Sequence, residues 1–168
     1  MLRISVAVWG RENNFAGKGR FKLFDTEIVS DSFDNIDDVL RATEMKMDGK
    51  IASFEETFTF VTNDVPNTYG AICFLYQSIR KRLLNMFGDE FFMLPSSVHE
   101  VIVLPKKKGE VESNIDAMIN MVKKANRSVV AKSEWLSDTA YKVKLYKNNS
   151  NRIDMELMDL ETGEVQFI

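Results

Sequence analysis

Phe91-Phe92-Met93-Leu94-Pro95-Ser96-Ser97-Val98-His99-Glu100-Val101-Ile102-Val103-Leu104-Pro105 is the most informative segment of this chain. Two apolar runs, rich in β-branched and aromatic residues, flank a polar Ser-Ser corner, and this pattern predicts a β-hairpin. Proline lacks an N–H and fixes φ, so we expect Pro95 and Pro105 to end the two strands. The second run is almost entirely apolar, which places it at the centre of a sheet or in a sheet covered on both faces.

Patterns outside this segment predict further helices and strands. Apolar residues at helical spacing predict one long helix from Ile72 to Phe87, ending at Gly88, and another from Val111 to Ala125. Besides the two strands of the 91–105 hairpin, alternating or β-branched runs predict four more strands. They cover 57–62, 139–146, 153–158 and, at the edge of the sheet, 165–168. Residues 148–151 form the turn that joins strand 139–146 to strand 153–158 in a hairpin.

The first part of the chain predicts a ββα unit. Residues 2–9 alternate as a strand, and 21–29 form a second strand that pairs with the first. A helix follows, with Ile36, Val39, Leu40 and Met47 facing inward, and Gly49 ends it. We expect an α+β fold, a mostly antiparallel sheet with two or three amphipathic helices packed on one face. Residues 1–52 would form an acidic N-terminal lobe and 53–168 a β-α-β-β-α-β-β domain, with one continuous domain as the alternative.

Composition narrows the class of protein. The chain has 168 residues, 45% apolar and 28% charged, with a net charge of −3, which is ordinary globular composition without a global positive field for nucleic acid. Cys73 is the only cysteine, so we expect neither an intrachain disulfide nor a cysteine-ligated zinc. No run approaches the length of a membrane span, and residues 2–9 are too short for a signal peptide. We expect a cytoplasmic protein that makes no membrane contact and carries no cofactor or metal; composition does not fix its oligomeric state.

The segment from Phe92 to Pro105 resembles the signature of a family of uncharacterised bacterial proteins, defined only as a domain of unknown function. The resemblance includes Thr62-Asn63, Tyr69-Gly70-Ala71, Trp135-Leu136-Ser137-Asp138 and Tyr141, so it covers about residues 58–146. It implies a shared fold and transfers no mechanism. Because such proteins are common in gut Gram-positive anaerobes and their mobile elements, it also implies an accessory or anti-defence role for a mobile element.

Ser97 and His99 have the residue types of a hydrolase. A serine nucleophile needs a base within hydrogen-bond reach and a group that orients the base. Residues two apart on a strand share a face, so both side chains could point together, but Glu100 would point to the opposite face. No glycine stands beside the serines to open an oxyanion hole. We therefore expect the serine hydroxyls to satisfy backbone groups at the corner, and keep catalysis by Ser97 and His99 as an alternative.

Acidic residues dominate the segment from Asp25 to Glu56, where only Arg41, Lys46 and Lys50 oppose them. Helical spacing leaves its carboxylates outside the apolar stripe. The acidic face is defined as Asp31, Asp34, Asp37, Asp38 and Glu44. It lacks the glycine and terminal glutamate of a calcium loop, so metal binding is not expected. The leading hypothesis is a non-catalytic protein whose acidic face binds a protein partner with a basic surface.

Two basic runs support a third hypothesis, binding of nucleic acid. They consist of Arg80, Lys81 and Arg82, and of Lys106, Lys107 and Lys108. If the helix packed beside the end of the hairpin, the two runs could form one phosphate-binding surface. Aromatic residues are not interleaved with them, so a solvated face explains them better, and we do not expect nucleic acid as a partner.

Overall fold

A computed structural model describes residues 20–23, 26–29, 40–41, 44, 48–54, 58–63, 69–95, 97–106 and 114–168. Nine strands lie in these ranges: β1 Arg20–Leu23, β2 Thr26–Val29, β3 Gly49–Phe54, β4 Phe58–Asn63, β5 Glu90–Leu94, β6 Val101–Pro105, β7 Tyr141–Lys147, β8 Ile153–Asp159 and β9 Val165–Phe167. The described helices are a 3₁₀ helix Gly70–Leu75, α1 Gln77–Phe87, α2 Ile115–Ser128 and a short 3₁₀ helix Lys132–Glu134.

Seven strands form one antiparallel sheet, in the order β3-β4-β6-β5-β7-β8-β9. The predicted central hairpin is confirmed: β5 and β6 pair antiparallel, with Met93 opposite Val103. β6 has β4 on its other side, so it lies inside the sheet, as its apolar sequence predicts. The predicted β7–β8 hairpin and the β9 edge strand are also present. The α+β prediction is therefore confirmed.

Both faces of the sheet carry a core, because strand alternation sends successive side chains of β5 in opposite directions. Phe91 and Met93 belong to a buried cluster that includes the first 3₁₀ helix and α1. Phe92 and Leu94 belong to a second cluster, which includes three residues of α2. The expectation that the helices share one face is thus wrong. An antiparallel sheet whose central strands are apolar on both sides needs cover on both sides.

The helix predicted from Ile72 to Phe87 is two elements. Gly70–Leu75 is a 3₁₀ helix whose six residues are all buried, and Tyr76 is extended with ψ 141° before α1 begins. A helix buried all round shows no single apolar stripe, so spacing alone could not separate it from the amphipathic α1. α1 ends before Gly88, as predicted, with Gly88 at φ 80°.

The first part of the chain differs from its prediction. β1 pairs antiparallel with β2, with Leu23 opposite Thr26, so residues 21–29 contain a two-strand hairpin rather than one strand. The strand predicted at 2–9 lies outside the described residues. Residues 40, 41 and 44 are helical, and Leu40 is buried in the α1-side cluster, so this predicted apolar position does face a core. The boundary predicted near residue 52 falls within β3, which pairs along its length with β4; the division into two lobes stays a prediction.

Candidate functional site

Four segments of the chain meet around His99, and we call this place the His99 junction. It consists of Thr62 at the end of β4, Tyr69 before the first 3₁₀ helix, Ser97 and His99 of the corner, and Glu134 of the second 3₁₀ helix. Backbone pairing holds the same segments together, since the amide of Ala71 donates to the carbonyl of Val98 at 3.2 Å. The amide of Val98 in turn donates to the carbonyl of Glu134 at 2.9 Å.

The ring of His99 has a defined environment at each nitrogen. Its Nδ1 accepts a hydrogen bond from the main-chain N–H of Tyr69 at 3.1 Å. Its Nε2 lies 3.3 Å from Oε1 of Glu134. A nitrogen that accepts carries no proton, so the neutral ring carries its proton on Nε2, facing the carboxylate. The Tyr69 ring lies beside the imidazole, with centroids 5.4 Å apart.

The polar side chains of the corner are engaged by main-chain groups. Ser97 Oγ accepts a hydrogen bond from the amide of His99 at 3.1 Å. Thr62 Oγ1 donates to the carbonyl of His99 at 3.0 Å. Gly70 fits against this pair so closely that a Cβ there would lie 2.5 Å from Thr62 Oγ1 and 2.7 Å from the carbonyl oxygen of His99. The Ser97 contact is the structural role that the sequence predicts for a hydroxyl at this corner.

This arrangement resembles a catalytic triad in one half only. In a triad, one histidine nitrogen faces a carboxylate while the other faces the serine hydroxyl. Here Glu134 supplies the carboxylate, but the main-chain N–H of Tyr69 takes the place of the hydroxyl. An amide N–H offers no nucleophile, and Ser97 Oγ is bonded to the backbone of His99 rather than to its ring. The junction therefore orients a histidine without coupling it to Ser97.

Glu134 was not predicted as the partner of His99. The sequence draws attention to Glu100 because it is adjacent to His99, whereas Glu134 lies 35 residues after His99. The only signal for it is that the resemblance resumes at Trp135, directly after Glu134. Its side chain is 41% exposed and that of His99 is 20% exposed, so the pair lies at the surface of the junction.

A second polar network follows the junction in sequence. Asn126 of α2 is buried and donates to the carbonyl of Ser137 at 2.8 Å and to Asp138 Oδ1 at 3.1 Å. Ser137 Oγ and the hydroxyl of Tyr141 lie 2.9 Å apart. Burial raises the pKa of Tyr141 to about 12, because the phenolate would lose its hydration. These contacts fasten α2 to the start of β7.

The predicted basic surface at 80–82 needs a correction. Arg80 is 2% exposed, and its Nη1 donates to the carbonyls of Ile153 at 2.9 Å and Ile168 at 3.1 Å. Its guanidinium therefore secures β8 and the residue after β9 instead of facing solvent. Only Lys81 and Arg82 are exposed, because neighbouring residues on a helix point in different directions.

The second basic run also has a local partner. Lys106 pairs with Glu90 at the start of β5, and Lys142 Nζ lies 3.5 Å from the other oxygen of Glu90. The hydrogen bond from Lys106 lowers the pKa of Glu90; burial opposes this shift, and the charge of Lys142 supports it. Lys107 and Lys108 lie outside the described residues. Lys106, Glu90 and Lys142 thus form a row of alternating charges on the sheet.

Of the acidic face, the structure describes Glu44 alone; Asp31, Asp34, Asp37 and Asp38 lie outside the described residues. Glu44 is half-buried and accepts a hydrogen bond from Ser78 in the first turn of α1. It lines an open cleft of about 200 Å³. The other lining residues are Leu40, Arg41, Leu75, Gln77 and Arg152. Glu44 is therefore engaged with α1 and is not a freely exposed carboxylate.

No group of three or more histidine, cysteine or acidic side chains among the described residues is placed to hold a metal ion. Among the described helices, none has both the length and the apolar character needed to cross a membrane.

Comparisons with known proteins place the chain in a family. No curated protein and no solved structure matches it. The model of a family of unknown function, DUF5688, matches residues 24–145, more than half of the chain. The match starts well before residue 58, where the resemblance was expected to begin, and it includes the whole His99 junction. The chain belongs to the DUF5688 family.

Proposed function

We propose that this chain is a non-catalytic binding protein whose acidic face engages a protein partner with a basic surface. The observation that carries the non-catalytic part is the His99 junction. Its serine, its threonine and both nitrogens of its histidine are engaged in contacts that hold the fold. Main-chain hydrogen bonding gives Ser97, Thr62 and Nδ1 of His99 a role that requires no catalysis, and this supports the proposal.

The binding part rests on charge. Acidic residues outnumber basic ones between Asp25 and Glu56 by about three to one, the strongest charge asymmetry in the sequence. Leu40 is buried while its neighbour Arg41 is exposed, which supports a helix with one inward and one outward side. An acidic outer side attracts a basic protein over about a Debye length, ~8 Å at physiological salt. The role as an accessory or anti-defence protein of a mobile element is a proposal that rests on the family resemblance alone.

A matched pair of charge reversals tests the acidic face. One variant carries Asp34→Lys, Asp37→Lys and Asp38→Lys. The control carries Asp89→Lys, Asp116→Lys and Glu164→Lys, three exposed carboxylates elsewhere, and so has the same net charge. Partners captured from a native extract by the unmodified chain are identified, and their association rates with both variants are measured against salt.

We expect the first variant to associate about tenfold more slowly at low salt, with a smaller difference at high salt, while the control stays near the unmodified rate. The thermal midpoint should change little, because the three aspartates are predicted to be solvated. Equal rates for the two variants would contradict the acidic-face proposal, whether both are slow or both are fast.

The other two hypotheses have separate tests. A broad hydrolase panel should find no activity that disappears in a folded Ser97→Ala chain; finding one would establish the enzyme. Lys81→Glu with Arg82→Glu should leave retention of nucleic acid unchanged, because little retention is expected at physiological salt. Tight, salt-sensitive binding that this pair removes would favour the nucleic-acid hypothesis.

A further inference from the structure

We propose that His99 is a proton-controlled joint that holds the main chain at Tyr69 when neutral and releases it when protonated. Two observations carry the inference. Nδ1 accepts the Tyr69 amide at 3.1 Å, and Nε2 lies 3.3 Å from Glu134. The neutral ring is therefore fixed in the tautomer that has its proton on Nε2.

Protonation changes what the ring can bond. The second proton must go to Nδ1, which then becomes a donor and faces the N–H of Tyr69. Two donors cannot share a hydrogen bond, so this contact is lost. At the same time the imidazolium gains attraction to the Glu134 carboxylate on its other side. The ring is thus drawn away from Tyr69 and toward Glu134.

Tyr69 is the residue that responds, because its backbone is held in a costly conformation. Its φ is 56° and its ψ is 32°, in the left-handed region that non-glycine residues rarely adopt. The next residue, Gly70, is buried and closely surrounded by main-chain atoms, and the 3₁₀ helix after it is wholly buried. The release is therefore confined to Tyr69 and leaves the buried helix in place.

The charged groups near the ring lie on the second 3₁₀ helix and on the corner. On the second 3₁₀ helix they are Glu134, in contact with the ring, and Lys132, which is exposed. Glu100 is the next residue on the corner itself, and Thr62 and Asn63 at the end of β4 carry no charge. Tyr69 contributes its aromatic ring, which lies beside the imidazole. Among the described residues of these elements, Glu134 is the charged group in contact with the ring.

NMR spectroscopy of the full chain tests the joint directly, because His99 is the only histidine and its ring signals are unambiguous. Long-range proton–nitrogen spectra report the tautomer and its titration. Hydrogen exchange, corrected for the intrinsic effect of pH, reports protection of the Tyr69 amide. The amide of Ala71, which donates to the carbonyl of Val98, is the internal control.

We expect the tautomer with its proton on Nε2 at neutral pH. Protection of the Tyr69 amide should fall about tenfold as the ring takes up its second proton, while protection of Ala71 stays constant. In His99→Asn the side-chain oxygen replaces Nδ1 as an acceptor that does not titrate, so the pH dependence at Tyr69 should disappear. In Glu134→Gln the loss of Tyr69 protection should still follow the ring titration measured in that same variant.

Three results would overturn the proposal. They are a neutral tautomer with its proton on Nδ1, Tyr69 protection that ignores the ring titration, or a pH response that persists in His99→Asn. The first two are measured on the unmodified chain, so they decide the question even if His99→Asn does not fold.

Discussion

Gly70→Ala tests whether the close packing of the His99 junction is as tight as the distances indicate. A Cβ at this position would lie 2.5 Å from the amide nitrogen of Asn63, 2.5 Å from Thr62 Oγ1 and 2.7 Å from the carbonyl oxygen of His99. Two of these three atoms belong to the main chain of a strand and of the corner, so neither can turn aside as a flexible side chain would. The φ of Gly70 is not in the left-handed range, so the cost of the methyl group is steric.

The size of the effect follows from the contacts. Inserting a methyl group into a packed site costs roughly 1–3 kcal/mol, and contacts with main-chain atoms put this site at the upper end. The lost hydrogen bond from Thr62 Oγ1 to the carbonyl of His99, worth about 1 kcal/mol, is part of this cost. We therefore expect a loss of about 3 kcal/mol in the free energy of unfolding. For a chain of this length, that loss lowers Tm by roughly 6–12 °C.

Gly163→Ala is the matched control, because its cost comes from the backbone conformation and not from steric contact. Gly163 has φ 75°, and a Cβ there meets nothing within 4 Å. Placing an alanine in this left-handed conformation should lower the free energy of unfolding by about 1 kcal/mol, which corresponds to roughly 2–4 °C in Tm. Chemical denaturation and calorimetry of the three chains measure the difference. A Gly70→Ala chain no less stable than Gly163→Ala would refute the steric reasoning.

Three further predictions concern the core and the sheet. Arg80→Ala should lower the free energy of unfolding measured in urea by about 3 kcal/mol or more, because it leaves a cavity at a buried site. Lys81→Ala, at an exposed position, should change it by about 0.5 kcal/mol or less. Because the folded pKa of Glu90 lies below its ordinary value of 4.5, its contribution is present above that pH and is lost as pH falls through the lowered pKa. Unfolding titrations should show a weaker acid dependence in Glu90→Gln. The raised pKa of Tyr141 contributes stability that is complete below pH 10 and is lost as pH rises toward about 12, so Tyr141→Phe should flatten the alkaline dependence.

Local patterns were sufficient for much of the fold. The proline-bounded runs gave the β5–β6 hairpin, and alternation around the asparagine turn gave the β7–β8 hairpin. In both, the pairing partner is the next strand in sequence, and the turn between them sets the register. The amphipathic helices α1 and α2 are likewise predictable from the sequence, because each buries one apolar stripe against the sheet.

Contacts between distant parts of the chain were not predictable in the same way. β5 lies between β6 and β7, and β4 pairs with β6 instead of with its neighbour in sequence, β5. The burial of Arg80 depends on β8, more than seventy residues later, whose carbonyl at Ile153 receives its guanidinium. A single sequence contains no local signal for such a pair, so an arginine in a basic run is assigned to solvent.

The same limit explains why Ser97 and His99 suggested an enzyme. Where four segments meet at the ends of strands and short helices, main-chain groups that the sheet and the helices leave unpaired need partners from side chains. Ser97 accepts from the amide of His99, Thr62 donates to its carbonyl, and the ring of His99 accepts from the amide of Tyr69. Each polar side chain thus serves one main-chain group, and Gly70 provides the space in which they approach one another. A serine two residues before a histidine points to a nucleophile only when a ring nitrogen is left to receive the serine's proton; here the nitrogen opposite the carboxylate is already bonded to the backbone.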